Sequence, residues 1–208
     1  MSQRRALRGV ALGVSLVCGV LLCLRPVFGA KRAPRPEPAI SSVLPERSLY
    51  RLGASFQTDA PATFRLPELR GKFQVLALVF TRCPSVCPTL VHDLQALERA
   101  MPADARDATR FTLVSIDPAH DTPEALRAYR QKLGLGPERW RLLRGDADAV
   151  RDLSALLGFS YSSSNAGGMP LAHSKLVTVL DRNGVIIQQQ DSVAADSQKI
   201  IDVILRAL

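Results

Sequence analysis

Phe73-Gln-Val-Leu-Ala-Leu-Val-Phe80 is the segment that most constrains the fold of this chain. It is short, uncharged and nearly continuous in apolar residues, which reads as a strand buried on both faces. Such a strand needs a layer above it and a layer below it, and 208 residues are enough to build both. Thr89–Met101 follows with Leu90, Leu94, Leu97 and Met101 at helical spacing. Phe111–Ile116 is a second buried strand. Thr122-Pro123-Glu124 starts a helix, with Thr as N-cap, Pro in the first helical position and an acid in the first turn. That helix runs to about Leu133 and stops at Gly134. Asp146–Leu157 is another, closed by Gly158. Lys175–Leu180 and Val185–Gln190 flank Asp181-Arg-Asn-Gly184, a hairpin turn. Asp196–Leu208, with Ile200, Ile201, Val203 and Ile204, closes the chain as a helix.

Strands alternating with helices, then an antiparallel hairpin, predict an α/β fold with a mixed central sheet and flanking helices. This order suits a thioredoxin-like fold with an insertion and a late β-hairpin.

The net charge of +8 suggests nucleic acid until it is located. Residues 1–36 hold seven basic residues and no acid. The rest of the chain has 20 of the 27 basic residues against all 19 acids, so it is near neutral. The electrostatic footprint of a nucleic-acid binder is absent from the globular part.

The N-terminal segment reads as a membrane anchor. Residues 1–8 are short and basic, and Gly9–Leu24 is uncharged. Extended to Ala30, with Arg25 reaching the interface, the segment is long enough to span a bilayer. The rival reading is a cleaved signal peptide, although Phe28 stands where a small residue is wanted. We read residues 9–30 as a signal-anchor and 31–45, with prolines at 34, 36, 38 and 45, as a stiff tether. Residues 46–208 are then the thioredoxin-like domain. A short basic N-terminus stays inside, which puts the domain outside the cytoplasm. A bacterial inner membrane with the domain in the periplasm is the first reading. A mitochondrial inner membrane facing the intermembrane space is the second.

Cys83-Pro84-Ser85-Val86-Cys87 lies between the first strand and its helix, at the strand end where α/β proteins bind ligands. With Pro84 in the first turn, Cys83 and Cys87 share one helix face, and their sulfurs can approach each other or share an ion. A helix N-terminus favours thiolate, which is both nucleophile and metal ligand. Two thiolates seldom complete a metal site, and the chain has only three histidines. His92 is rotated away from the cysteine face and reads as a solvated helix residue. His120 sits in a turn after the second strand. His173 follows Gly167-Gly168 and precedes the hairpin, so a hinged loop can bring it over the cysteines. Met169 is an unassigned soft donor that reads as loop packing.

At these residues the chain resembles the Sco/SenC family of copper-binding proteins of cytochrome c oxidase assembly. The resemblance lies in Phe80-Thr-Arg-Cys83-Pro-Ser-Val-Cys87-Pro88 and in Val114-Ser-Ile-Asp117-Pro-Ala-His-Asp121-Thr-Pro123. It continues through Trp140, Leu143 and Gly145 to His173-Ser174, Leu180-Asp181 and Gly184. The resemblance implies that Cys83, Cys87 and His173 bind a copper ion, and that Cys83 and Cys87 form a redox-active pair. Asp117 matches a family acid beside the site. The implied partner is subunit II of the oxidase, whose dinuclear copper site receives copper or has its cysteines kept reduced. Ser85 departs from the pattern, since many relatives carry Asp there. So does Leu171-Ala172, where relatives often have Val-Asp.

The residues by themselves also favour copper. Soft thiolates suit Cu(I), imidazole suits both oxidation states, and copper heads the affinity order. A two-sulfur, one-nitrogen set leaves an open side for ligand exchange, whereas zinc more often takes a fourth ligand. Two other readings stand beside it. One is a membrane-anchored thiol–disulfide oxidoreductase acting on a partner's cysteines, although its usual spacing is Cys-x-x-Cys. The other is a peroxide sensor that oxidises Cys83 and resolves it with Cys87.

Overall fold

The computed structural model of the protein describes residues 43–60, 62–162, 171–172 and 175–208. The N-terminal segment read as an anchor, most of the tether, Met169 and His173 lie outside the described residues. Among the described residues no helix is long and apolar enough to cross a membrane.

Nine strands and five α-helices alternate along the described chain. Strand β1 (Ser55–Thr58) pairs with β2 (Thr63–Arg65) as a hairpin. Then come β3 (Phe73–Val79), α1 (Val86–Ala100), α2 (Ala103–Ala108) and β4 (Thr109–Ser115). After these come α3 (Pro123–Leu133), β5 (Trp140–Gly145) and α4 (Ala147–Leu157). Two-residue strands β6 (Tyr161–Ser162) and β7 (Leu171–Ala172) pair with each other. The hairpin β8 (Val177–Leu180) and β9 (Ile186–Gln190) precedes α5 (Ser197–Ala207).

The main sheet has the order β2-β1-β5-β4-β3-β8-β9. β3, β4 and β5 are parallel, and the strands flanking them are antiparallel. Every residue of β3 is buried, as its uncharged run predicts, so both faces of the sheet are covered there. The two crossovers β3–α1–β4 and β4–α3–β5 step the same way across the sheet. Being right-handed, they set α1 and α3 on one face. α1 buries Cys87, Leu90, Val91, Leu94 and Leu97, an apolar stripe of helical period. Each of its aliphatic side chains contributes about 1.5–3 kcal/mol on removal from water.

The caps stand where the sequence places them. Thr122 Oγ1 accepts from Ala125 N, and Asp146 Oδ1 accepts from Ala149 N. Gly134 and Gly158 end their helices at φ +64° and +68°, in the left-handed region that glycine enters without strain.

Several elements differ from the sequence reading, which assigned no structure to β1, β2, α2, β6 and β7. β5 lay in a stretch read without structure, because Arg141 and Arg144 interrupt its apolar residues. Pairing decides it: β4 lies on one side and β1 on the other. Helix α1 starts at Val86 rather than Thr89, with Ser85 as N-cap, so Cys83 lies ahead of the helix and not on its face.

Candidate metal and thiol centre

The site forms where the parallel strands end. Beyond β3 the chain continues as Phe80-Thr-Arg-Cys83, and beyond β4 as Ile116-Asp117. Ile116 N still donates to Val79 O at 2.9 Å, so the two loops leave the sheet side by side.

Cys83 and Cys87 are both free and both buried, at 8% and 6% exposure. Although Cys83 precedes α1, its Sγ accepts the Cys87 backbone N–H at 3.2 Å. It therefore takes one of the donors that a helix start leaves open. The Cys87 thiol is pushed up to about 12, chiefly by burial. A backbone hydrogen bond from Phe80 opposes this, and its hydrogen bond with the Cys83 side chain adds to it. For Cys87, then, burial outweighs the thiolate-favouring helix start read from the sequence. With Cys83 Sγ held on the Cys87 backbone, the two side chains lie together at the helix start, the arrangement that a disulfide or a shared soft ion requires. Between them Val86 is 46% exposed, an apolar side chain at the mouth of the pair.

Asp117 is 5% exposed and stands beside Cys83 through Arg82. Its Oδ2 accepts from Arg82 Nη2 at 2.8 Å and Nε at 3.2 Å. Its Oδ1 lies 2.8 Å from His120 Nδ1, which is also 2.8 Å from Arg82 Nη2. His120, read as a turn residue, is thus fixed at the rim of the site. His92 is exposed and pairs with Gln95 at 3.2 Å, as a solvated helix residue does.

Two residues of the site were not singled out in the sequence. Asp121 is fully buried and accepts from Thr81 N, Thr81 Oγ1 and Ser115 Oγ. It ties the cysteine loop to the end of β4. Tyr129, on the buried side of α3, carries a hydroxyl without a hydrogen-bond partner among the described residues. The only sequence signals were the acid before Thr-Pro and an aromatic at the inward helical spacing.

Among the described residues no group of three or more His, Cys, Asp or Glu is placed to hold a metal ion. The described cysteines supply two donors. His173 follows β7 and lies outside the described residues.

The family model of SCO1/SenC matches residues 46–208. This chain belongs to the SCO1/SenC family. The match begins where the tether was expected to end and runs through the whole described sheet. A Stutzerimonas stutzeri protein named for copper binding is 29% identical over 173 residues, covering 82% of each chain. Among solved structures, Bradyrhizobium japonicum ScoI with copper bound superposes with a TM-score of 0.61 at 20% identity. It covers 74% of this chain and 97% of its own. BsSco, a Sco-family cytochrome c oxidase assembly protein with a disulfide switch, gives 0.64 at 19% identity, covering 79% and 96%. At such identities the likeness carries the fold, which is the thioredoxin-like Sco architecture.

Proposed function

We propose that this chain is a copper-binding assembly factor for cytochrome c oxidase, holding its cargo through Cys83, Cys87 and His173. The observation that carries this reading is the Cys83–Cys87 pair, both free and joined by the hydrogen bond from Cys87 N to Cys83 Sγ, at the end of β3 in a SCO1/SenC chain. Two buried sulfurs are a soft donor set suited to Cu(I), and an imidazole completes a trigonal site with one open side. Binding must displace the Cys87 proton against burial, so uptake releases protons and strengthens as pH rises. The acceptor is the dinuclear copper site of subunit II. Val86, Arg82 and His120 form the rim it would meet. Residues 9–30 anchor the chain in the membrane, 31–45 tether the domain, and residues 46–208 carry the site on the periplasmic side.

The same free thiol pair supports a second reading, reduction of a partner's disulfide. One cysteine sulfur attacks a partner sulfur, and the other resolves the mixed disulfide. The partner gains two electrons and two protons, and Cys83–Cys87 is left oxidised.

Anaerobic Cu(I) titration of the reduced full-length protein against a competing chelator tests the copper reading. One equivalent should bind tightly, His173→Ala should weaken binding at least tenfold, and Cys83→Ser should abolish it. Unchanged affinity in His173→Ala refutes the three-ligand site. Retained binding in Cys83→Ser places the copper elsewhere.

A further inference from the structure

A cleft of about 480 Å³ opens between two single-turn helices, Leu49–Arg51 and Leu66–Leu69. Arg51, Arg65 and Arg70 line it, and no acid does. Three like charges around one cleft hold a positive potential there, which favours an anion. Among the described residues neither Arg51 nor Arg65 forms an ion pair. Arg51 gives one guanidinium N–H to Leu44 O at 3.4 Å, and a guanidinium carries five donors, so most of its own remain. Arg70 is steadied by Asn183 Oδ1 at 3.3 Å. Glu68, the acid nearest in sequence, has its Oε1 taken by the Arg65 backbone N–H at 2.7 Å. Tyr50 also lines the cleft; it is 1% exposed, and its hydroxyl has no hydrogen-bond partner among the described residues.

The rest of the lining is chiefly apolar, with Leu44, Leu52 and Pro67 beside the Tyr50 ring. A second, smaller cavity shares Arg70 and adds Lys72, Arg110 and Arg141, so the positive surface continues past the cleft. Glu68 and Glu138 line that second cavity, and its Arg139 is engaged by Glu98 and Asp107. Guanidinium groups match phosphate oxygens in pairs. Inorganic phosphate would use the arginines and leave the apolar lining bare. An anionic phospholipid offers its phosphate to the arginines and its glycerol-ester region to the apolar residues.

We propose that this cleft binds the headgroup of an anionic membrane phospholipid, its phosphate held by Arg51, Arg65 and Arg70. Headgroup binding is independent of the copper reading, and its consequence for the domain rests on the reading of residues 9–30 as an anchor. Leu44 belongs to the tether that follows that anchor, so the cleft lies where the chain enters the domain. With the anchor in the bilayer, the cleft seats the domain on the headgroups. Arg70 stands ahead of β3 and Cys83 beyond its other end, and a strand of 7 residues separates them by roughly 20 Å. The seated domain therefore keeps the cysteines clear of the lipid surface.

The test uses the full-length protein in lipid discs, either of phosphatidylcholine alone or of phosphatidylcholine mixed equally with phosphatidylglycerol. Amide hydrogen exchange over residues 49–53 and 65–71 should be slower in the phosphatidylglycerol discs. An arginine near an anionic surface is worth about fivefold in affinity, so Arg51→Gln with Arg65→Gln should weaken seating about 25-fold and abolish the slowing. Both arginines are exposed, so the urea midpoint of this double variant should be unchanged. Arg99→Gln with Arg206→Gln removes the same charge outside the cleft and should keep the slowing. Equal exchange in the two kinds of disc overturns the proposal, and so does loss of the slowing in the Arg99 and Arg206 variant, which would make it a matter of net charge. The same slowing produced by inorganic phosphate on phosphatidylcholine discs overturns the lipid as the source of the anion. If the protein does not stay with phosphatidylcholine discs but floats with phosphatidylglycerol vesicles through Arg51 and Arg65, the anchor reading fails and the cleft assignment stands. If it stays with both kinds of disc and exchanges alike in them, the cleft assignment fails and the anchor reading stands.

Discussion

Replacing Asp121 by alanine should loosen the cysteine loop and cost the domain about 3 kcal/mol. The carboxylate is fully buried and receives three donors: the Thr81 backbone N–H at 3.1 Å and the Thr81 and Ser115 hydroxyls, each at 2.5 Å. Hydrogen bonds to a charged group are each worth about 1.5–3 kcal/mol, so three would sum to about 5–9 kcal/mol. Burying the carboxylate cancels several kcal/mol of that sum. After the substitution the hydroxyls can rotate to other acceptors, whereas the Thr81 N–H cannot. About 1 kcal/mol net per bond then remains. Urea unfolding of the reduced, metal-free protein measures it, and a fall in Tm of about 6–12 °C should accompany the change. Asp117→Ala is the internal comparison. Its carboxylate is nearly as buried, but its partners Arg82 and His120 are each 37% exposed and find water instead. That variant should lose less than about 1 kcal/mol. A loss below about 1 kcal/mol for Asp121→Ala, at unchanged urea slope, would refute the reasoning. It would mean that the carboxylate only balances its own desolvation.

Two further outcomes follow from the same structure. Gly184 closes the β8–β9 turn at φ +82°, and a β-carbon there would lie 2.6 Å from the Tyr50 ring. Gly184→Ala combines backbone strain with overpacking and should cost about 2–4 kcal/mol in urea unfolding. The buried Cys87 thiol holds its proton from pH 9, its ordinary value, up to about 12. Above pH 9 the unfolded chain binds fewer protons than the folded one, so this contribution to stability is complete below pH 9 and is lost as pH rises toward 12. Tyr50 and Tyr129, whose phenols burial also pushes up, add to the alkaline loss. Cys87→Ala should therefore flatten, without abolishing, the decline in urea midpoint between pH 9 and 11. Parallel curves for the two proteins would show that Cys87 is not desolvated as described.

Much of the fold is written locally in the sequence. The run 73–79 needs no partner information to be recognised as a doubly covered strand. Thr122, Asp146, Gly134 and Gly158 mark helix ends through bonds and backbone angles that involve only residues within one turn. Asp181 binds the N–H groups of Asn183 and Val185, so the late hairpin is equally local. β1, β2 and β5 escaped because their residues carry no sustained alternation or apolar run. They are strands because neighbouring strands offer them a ladder.

The site divides in the same way. Cys83 and Cys87 were legible because two soft donors four residues apart, between a strand and a helix, restrict the possible chemistry. Asp117 was named by the family resemblance. Only the tertiary structure decided that Cys83 sits ahead of the helix yet takes one of its open donors, and that burial keeps the Cys87 proton in place. It alone brought Asp121 across 40 residues to the cysteine loop, and His120 across 38 to Arg82. It alone turned Tyr129 inward, its hydroxyl without a hydrogen-bond partner among the described residues. The physical reason is range. Propensity, capping and periodicity act within a few residues, whereas burial and long-range hydrogen bonds exist only once the parallel strands have carried distant loops to one edge of the sheet.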